Sequence, residues 1–307
     1  MTENRKVLVT GVAGFIGSNL ADCLLKEGYT VVGIDDLSQG VLENVAKEVE
    51  FHKLDIRSKE IYPIFDGIDI VFHLAAKNSL VDCQNDPVAT IDINVTGTTN
   101  VFEAARRANV KKVIYAQSSA VEEGDDRLRG FYAISKMADQ WIAEGYWAAC
   151  NLTTVGLRYF NVYGPRQDYR RTMPPVMSAF IIKFLKGEPP IIYEGSEMNK
   201  RDFIHIDDIN DFHLLCIADE RVNNRMFRLG SGRNYSVVEI LEAIKKLLRS
   251  NIEPILKPRM KNDIPTQTLA DISDAKSLGW SPKIELEAGL GGMIEYLKGE
   301  ITKGNIK

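Results

Sequence analysis

The sequence of 307 residues predicts an α/β fold, in which a doubly wound parallel sheet is followed by a smaller C-terminal α+β lobe. Short apolar strands and longer helical patterns alternate through the first half of the chain, which is typical of parallel strands joined by crossover helices. Beyond Gly164 this alternation loosens, and proline pairs at 174–175 and 189–190 divide the chain. A second, smaller unit is therefore expected there.

The first strand, at 7–9, leads into three glycines that recur every third residue before a helix: Gly11, Gly14 and Gly17. A second buried strand ends on Asp35 and Asp36. Strand, glycine turn, helix, strand and acid together indicate a Rossmann-type dinucleotide site, because backbone amides and the helix N-terminus meet a pyrophosphate there. Asp35 can accept hydrogen bonds from a ribose diol, and no Lys or Arg follows before Lys47, so NAD is favoured over NADP. The alternative is a turn that serves only to pack the strand on the helix.

The remaining elements follow from apolar periodicity and from their flanking breakers. Strands are predicted at 50–54, 68–74, 113–117, 153–158, 203–206 and 226–229. Helices are predicted at 88–109, at 131–150, between the proline pairs, at 237–248 and at 286–298.

Composition excludes several classes of partner. The net charge of −4, with both signs interspersed, gives no basis for nucleic-acid binding. No apolar run approaches the roughly 20 residues of a membrane span, and no signal-peptide pattern precedes the first strand, so a cytoplasmic protein is expected. The histidines lack metal-ligand spacing, and no metal site is predicted. The cysteines are scattered and are expected to be reduced: Cys23, Cys83, Cys150 and Cys216.

Tyr132 and Lys136 stand four residues apart in FYAISK, which places both side chains on one helix face. A lysine ammonium stabilises a phenolate, and an oxidised nicotinamide would act in the same direction. Ser118 and Ser119 end the strand before this helix, at the sheet edge where ligands bind in parallel folds. A Tyr/Lys pair alone is usually a solvated surface contact, but in this setting it indicates an acid–base site.

These motifs resemble the extended short-chain dehydrogenase/reductases of the nucleotide-sugar epimerase/dehydratase family. The segments that carry the resemblance are Gly11-x-x-Gly14-x-x-Gly17, Asp35, Asp55-Ile56, His73 to Ala76, Asn94, Ser118-Ser119, Tyr132-x-x-x-Lys136, Leu157 to Asn161 and Arg201-Asp202-Phe203. The resemblance implies Tyr132 as base, Ser119 as its hydrogen-bonding companion and Lys136 as a ligand of the nicotinamide ribose. It further implies an NAD-binding domain at 1–163 plus about 202–235, and a nucleotide-sugar domain at about 164–201 and 236–307.

The implied binding residues fall into two groups. Those for NAD are Gly11, Gly14, Phe15, Ile16, Gly17, Asp35, Asp36, Asp55, Ile56, Leu74, Ala75, Ala76, Asn94, Ser118, Tyr132, Lys136 and Tyr159. Those for a UDP-sugar are Ser119, Tyr132, Asn161, Arg201, Arg259, Asp263 and Thr268. The helices from Val88 and from Phe131 are the pair that relatives use to form a homodimer.

The reaction is inferred from the two residues directly after the serines. Family dehydratases carry an Asp-Glu pair there, whereas this chain has Ala120-Val121. A site with only Ser, Tyr and Lys can oxidise an alcohol and reduce the ketone back, which is epimerase chemistry. Thr268 is small at the position where the family walls the sugar pocket, so UDP-N-acetylglucosamine 4-epimerisation is the first expectation. The alternative for Thr268 is that it only packs its loop.

Other interpretations of the function remain open. They are a UDP-glucose/UDP-galactose 4-epimerase, a nucleotide-sugar dehydratase and a non-catalytic NAD-binding sensor. Tyr132 comes only 13 residues after Ser119, a shortened span, so larger sugars could be admitted and the catalytic serine is either Ser118 or Ser119. Arg259 stands one residue earlier than in the usual family pattern.

Overall fold

The computed structural model describes residues 5–122, 130–171, 173–259 and 267–306, and the chain divides into two compact units. Unit 1 comprises Met1–Tyr159 and Asn210–Arg228, and unit 2 comprises Phe160–Ile209 and Leu229–Lys307. Within the described ranges, no helix is long and apolar enough to cross a membrane.

The strands are β1 (Lys6–Thr10), β2 (Thr30–Asp35), β3 (Glu50–Lys53), β4 (Ile70–His73), β5 (Lys112–Ser118), β6 (Thr153–Tyr159), β7 (Val162–Tyr163), β8 (Ile191–Tyr193), β9 (Lys200–Asp202), β10 (Ile204–His205), β11 (Arg225–Leu229), β12 (Asn234–Ser236) and β13 (Ile255–Lys257). The helices are α1 (Phe15–Lys26), α2 (Leu80–Asn85), α3 (Pro87–Ile91), α4 (Gly97–Arg107), α5 (Phe131–Cys150), α6 (Val176–Leu185), α7 (Ile206–Ala218), α8 (Val237–Leu247), α9 (Ser273–Ser277) and α10 (Leu286–Thr302).

The main sheet has the strand order β11-β6-β5-β4-β1-β2-β3, and its pairs from β6 to β3 are parallel. The chain runs outward from β1 to β3 on one side and from β4 to β6 on the other. The order therefore reverses between β1 and β4, which is the position where doubly wound sheets bind ligands. At the carboxyl ends of these two strands, Thr10 of β1 pairs with His73 of β4, directly before the glycine turn.

The strands of the main sheet are apolar on both faces, and the core of unit 1 is built on them. Val7, Leu8 and Val9 are fully buried, as expected of a central parallel strand. Leu8 and Val71 pack with Val101 and Phe102 of α4, so this helix, which connects β4 to β5, covers one face of the sheet. This packing confirms the predicted Rossmann-type fold class.

Unit 2 has its own core between α6, α8 and α10. Met177, Ile181, Ile240, Leu290 and Ile294 belong to it, and all five are buried. The small sheets β9–β12 and β8–β13 flank these helices, with β9 antiparallel to β12 and β8 parallel to β13. This α+β unit overlaps the predicted smaller lobe in sequence, but it also includes residues 160–163, 202–209 and 229–235, which the prediction assigned to the NAD-binding domain.

The structure differs from the predicted elements at several places, of which those around residues 80–96 and 203–218 are the largest. The helix predicted at 88–109 is interrupted by a π-helical turn at Asp92–Thr96, and α2 precedes it. Residues predicted as a strand at 203–206 form β10 and then the start of α7. The sequence pattern does not predict helix α7, because its buried face carries Asn210 and His213, which interrupt the apolar periodicity.

Candidate active site

The glycine turn after β1 is shaped by close backbone contacts. Gly11 has a φ of +74°, and a Cβ there would lie 2.8 Å from the backbone nitrogen of Ala75. The N–H of Gly11 donates to the carbonyl of Ile34 at 2.8 Å, which ties the turn to β2. Gly14 precedes the first residue of α1, so the helix N-terminus opens directly at the turn. The close backbone approach and the open helix end fit a pyrophosphate, and with it a dinucleotide such as NAD.

The acids at the ends of β2 and β3 differ in their environments. Asp35 is 8% exposed, and its carboxylate accepts hydrogen bonds from the N–H groups of Ala13 and Leu37 at 3.0 and 2.8 Å. Burial raises the pKa of Asp35, against these two hydrogen bonds. Each oxygen retains a lone pair for a further donor, as binding a ribose diol requires.

Asp36 is exposed and caps its own turn by accepting from the N–H of Ser38 at 2.8 Å. The carboxylate of Asp55 is held by the guanidinium of Arg57, which lowers the pKa of Asp55. Ile56 is buried beside it in the core of unit 1.

A chain of buried polar groups begins where β1 and β4 end. The Thr10 hydroxyl lies 2.8 Å from Nδ1 of His73, and Nε2 of His73 lies 2.9 Å from the Thr98 hydroxyl. Complete burial lowers the pKa of His73 to about 3, so this ring is neutral. The Thr10 oxygen also accepts from the N–H groups of Leu74 and Ala75 at 3.2 and 3.3 Å. These bonds hold the predicted cofactor segment 74–76 beside the glycine turn.

Asn94 lies in the π-helical turn and is fully buried. Its Oδ1 accepts from the N–H of Lys77 at 2.8 Å, and its Nδ2 donates to the Lys77 carbonyl at 3.0 Å. Nδ2 also lies 2.9 Å from the Ser135 hydroxyl, which in turn donates to the carbonyl of Tyr132. The side chain predicted to touch the cofactor thus joins the loop after β4 to the first turn of α5.

The predicted catalytic residues lie at the end of β5 and the start of α5. Tyr132 is half-buried in the first turn of α5, and Lys136 follows one turn later with 3% exposure. Ser119 is buried at the start of a 3-10 turn. The Ser118 hydroxyl accepts from the N–H of Ala120 at 3.2 Å, which caps that turn.

The sequence motifs did not include the partner of Lys136. Its Nζ donates to Oδ2 of Asp139 at 2.9 Å and to the carbonyl of Ala116 at 3.2 Å. Burial acts to lower the pKa of Lys136, but the charge of Asp139, with a smaller contribution from Tyr132, holds that pKa above its usual value. The i,i+3 spacing of the two residues was the available signal.

Tyr159, another predicted cofactor residue, points its side chain into unit 1. Its hydroxyl lies 2.7 Å from Nε2 of His213, and burial raises its pKa well above the usual value.

Glu122 is the described acid nearest in sequence to Ser119. Its Oε1 accepts from Arg158 and, at 2.7 Å, from Nε of Arg228. Arg158 is only 11% exposed, so this carboxylate is committed to an ion pair. Glu123 lies outside the described residues.

In unit 2, several predicted substrate residues converge on β9. Asn161 donates from Nδ2 to the carbonyl of Asp202 at 2.9 Å, and the Thr268 hydroxyl accepts from the N–H of Asp202 at 3.3 Å. Arg201 is the half-buried neighbour of Asp202 in the same strand. Thr268 is 7% exposed, which also agrees with a packing role.

The carboxylate of Asp202 organises the surrounding loops. It accepts from the N–H groups of Ser231, Gly232 and Ala270 at 2.7, 3.1 and 3.1 Å, and from the Ser231 hydroxyl at 2.7 Å. Burial raises the pKa of Asp202, against these hydrogen bonds. The sequence indicated Asp202 only as part of a motif and gave no sign of these distant partners.

The remaining predicted substrate residues lie further along unit 2. Arg259 is exposed and ends a described range. Asp263 lies outside the described residues. In the part of the chain that the structure describes, no group of three His, Cys, Asp or Glu side chains could hold a metal ion.

Comparisons with known proteins identify the family of the chain. The model of the NAD dependent epimerase/dehydratase family matches residues 7–230. A UDP-glucose 4-epimerase of Mycolicibacterium smegmatis is 31% identical over 311 residues, with 95% of this chain and 98% of that protein covered.

Two solved structures are similar along nearly the whole chain. The UDP-glucose 4-epimerase of Thermotoga maritima, crystallised with UDP-glucose, has a TM-score of 0.90 at 31% identity and covers 96% of this chain and 99% of its own. The UDP-N-acetylglucosamine 4-epimerase of Methanobrevibacter ruminantium, in complex with UDP-N-acetylmuramic acid, has a TM-score of 0.90 at 29% identity. That alignment covers 97% of this chain and 100% of the other.

Proposed function

The chain belongs to the NAD dependent epimerase/dehydratase family, and from this premise we propose that it is a UDP-N-acetylglucosamine 4-epimerase. It would interconvert UDP-N-acetylglucosamine and UDP-N-acetylgalactosamine through a transient 4-keto sugar. The predicted family, Rossmann-type fold, NAD cofactor and UDP-sugar epimerase class are confirmed by the comparisons. The choice of sugar and the roles of individual residues are the proposal.

One observation carries the proposal most directly. Tyr132 and the buried, charged Lys136 lie one helical turn apart in α5, and the described acid after Ser119 is not free. A dehydratase needs an additional acid and base to eliminate water, whereas Glu122 is held by two arginines. Among the described residues, Ser119, Tyr132 and Lys136 are the groups proposed for the chemistry, and such a set supports reversible oxidation of an alcohol. This favours an epimerase over a dehydratase.

The residues of unit 1 supply the proton chemistry. Tyr132 takes the proton of the sugar 4-hydroxyl and later returns one to the same oxygen, as a general base and then acid. The Lys136 ammonium stabilises the phenolate, and Ser119 orients the hydroxyl by a hydrogen bond. The glycine turn and Asp35 would hold NAD, which when bound would supply the acceptor and the donor of the hydride at carbon 4. No net oxidation results, so tight retention of the cofactor is expected.

The residues around β9 would hold the nucleotide. Asn161 and Arg201 are the groups proposed to contact the diphosphate, with Arg259 and Asp263 as further ligands. Asp202, the neighbour of Arg201, supports this role because it forms hydrogen bonds with the side chains of Asn161 and Thr268 and with the N–H of Ala270. A tethered nucleotide keeps the keto sugar bound while it turns over for reduction on its other face.

N-acetylated sugars are favoured because Thr268 is small at the proposed pocket wall. The relative from M. ruminantium is named for this activity and was crystallised with UDP-N-acetylmuramic acid. The relatives from M. smegmatis and T. maritima are named UDP-glucose 4-epimerases, which makes UDP-glucose/UDP-galactose interconversion the second candidate.

Two assays test the function. The purified protein, incubated with the four UDP-sugars, is expected to interconvert the N-acetylated pair with the higher kcat/KM. Tyr132→Phe is expected to lower kcat by about 10²–10⁴-fold, the usual contribution of an acid–base group, and to retain NAD. Tyr29→Phe removes a hydroxyl from a half-buried tyrosine outside the proposed site and serves as the control. Near-normal turnover in Tyr132→Phe would contradict the assigned base, and binding of NAD without any turnover by the unmodified protein would favour a sensor.

We also propose a cytoplasmic homodimer. The four cysteines are free thiols, which is typical of a reducing compartment. Large apolar side chains are exposed on α3 and α5, namely Val88 at 79%, Trp141 at 63% and Ile134 at 44%. Ile134 and Trp141 lie seven residues apart and so share a face of α5. An exposed apolar face of this kind is expected to be covered by a second copy.

A further inference from the structure

The pair formed by Lys136 and Asp139 deepens the proposed reaction and rests on it. Both side chains are almost fully buried, with 4% and 1% exposure, and a salt bridge of 2.9 Å joins them. An ammonium group has three N–H donors. Asp139 and the Ala116 carbonyl take two of them, which fixes the rotamer of Lys136 and leaves one N–H for a bound ligand.

Apart from Tyr132, the other titratable groups around the pair carry no opposing charge. Cys83 of α2 is neutral because burial raises its pKa, and burial likewise raises that of Tyr115 of β5. His73 of β4 is neutral because burial lowers its pKa. Tyr132 faces the ammonium from the same helix. Among these neighbours, Asp139 is therefore the counter-ion of Lys136.

The carboxylate of Asp139 is also contacted from a third element. Burial raises the pKa of Asp139 above its usual value, and the charge of Lys136 and hydrogen bonds from Lys136 and from the Thr98 hydroxyl of α4 oppose that rise. A buried ammonium without such a counter-ion loses its proton easily, because desolvation penalises the charged form.

We propose that Asp139 is a positioning residue for the epimerase reaction, which fixes the Lys136 ammonium group and keeps it charged within the protein interior. The charge that stabilises the Tyr132 phenolate then persists into the alkaline range. The remaining N–H of Lys136 is presented in one direction to the bound cofactor.

The first test is the pH dependence of kcat and of NAD affinity, the latter measured by calorimetry on cofactor-free protein. In Asp139→Asn, both are expected to decline on the alkaline side at least about one pH unit lower than in the unmodified protein. Asp139→Glu keeps the charge and is expected to retain the original alkaline limb, even with a lower kcat. Glu144→Gln removes an exposed acid from the same helix and is expected to leave both profiles unchanged.

The positioning role would be overturned if kcat and NAD affinity had the same pH dependence in Asp139→Asn as in the unmodified protein and differed only in magnitude. Failure of the proposed function itself is distinct, because the unmodified protein would then show no epimerisation or no NAD binding at any pH.

A second test does not depend on activity. Added to the unmodified protein, Asp139→Asn is expected to lower the denaturant midpoint of unfolding. Added to Lys136→Met, the same change is expected to raise the midpoint, because it removes a buried carboxylate that has lost its partner. A lowering in both backgrounds would show that Asp139 contributes only packing and would overturn the inference.

Discussion

Replacement of Gly17 by alanine tests whether the glycine turn requires contact of backbone with backbone. Gly17 lies in the first turns of α1, where alanine would normally stabilise a helix by about 1 kcal/mol. Its Cβ, however, would lie 2.8 Å from the carbonyl carbon of Gly11 and 3.0 Å from Cα of Val12, with the Gly11 carbonyl oxygen closer still. Comfortable carbon–carbon contacts are about 3.5–4.0 Å, so the helix must move by roughly 1 Å.

This overlap outweighs the gain in helix propensity. Overpacking of a tight contact costs about 1–3 kcal/mol, and no flexible side chain is available here to move aside. We expect Gly17→Ala to lower the free energy of unfolding by about 2 kcal/mol. A displacement of about 1 Å between the turn and the helix end is expected to weaken NAD binding, because the backbone amides of the turn would no longer meet the pyrophosphate in their present arrangement.

Gly292→Ala provides the matched control. Gly292 is also helical and exposed, in α10, and a Cβ there would meet no atom within 4 Å. This variant is expected to gain about 0.5–1 kcal/mol in stability and to bind NAD normally. Urea unfolding and calorimetric titration of cofactor-free protein measure both quantities. Equal stability and equal NAD affinity of the two variants would refute the steric account of the turn.

Three further predictions concern the substrate, the pH and the assembly. Thr268→Tyr is expected to abolish activity on N-acetylated UDP-sugars and to keep activity on UDP-galactose, whereas the control Leu269→Tyr, at an exposed position, is expected to keep both activities. Equal loss of both activities in Thr268→Tyr would indicate that Thr268 only packs its loop. Burial lowers the pKa values of His73 and His213 to about 3, so below about pH 6.5 the unfolded chain binds more protons than the folded one. The free energy of unfolding is therefore expected to fall as the pH is lowered from about 6.5 towards 3, and a denaturant midpoint that does not change over this range would contradict this. Trp141→Lys is expected to convert the dimer into a monomer in sedimentation experiments, and an unchanged dimer would exclude this face.

The elements that sequence predicts well are those specified by neighbouring residues. Helix α5 has the predicted bounds, Phe131–Cys150, because Gly130 precedes it in an extended conformation and Asn151 ends it in a left-handed one. The glycine turn is likewise local, since strand, glycines, helix and acid all fall within Lys6–Asp36. Both patterns are contained in fewer than about 40 consecutive residues.

The parts that the sequence did not predict depend on contacts between distant segments. Asp202 gathers N–H groups from residues 231, 232 and 270, and no periodicity or spacing marks such a set. The π-helical turn at 92–96 places Asn94 between Lys77 and Ser135, which a regular helical pattern conceals. Asp139 resembles an ordinary helix position in the sequence, because its burial results from the packing of α5 on the sheet and not from its neighbours along the chain.

The hydrogen bonds from Thr10 to Asp139 run in a single direction, and Lys136 donates to the same carboxylate from its own side. Because the Thr10 oxygen accepts two backbone N–H groups, its one hydrogen is donated to Nδ1 of His73. His73 must then carry its proton on Nε2 and donate it to Thr98, whose own hydrogen is left for Asp139. The hydrogen bonds that begin at the residue before the glycine turn and the bond from the lysine of α5 thus meet at the carboxylate of Asp139, and the hydroxyls of Thr10 and Thr98 cannot rotate without breaking a bond. A substitution at Thr10, beside the cofactor turn, would therefore also disturb the carboxylate that binds the lysine of α5.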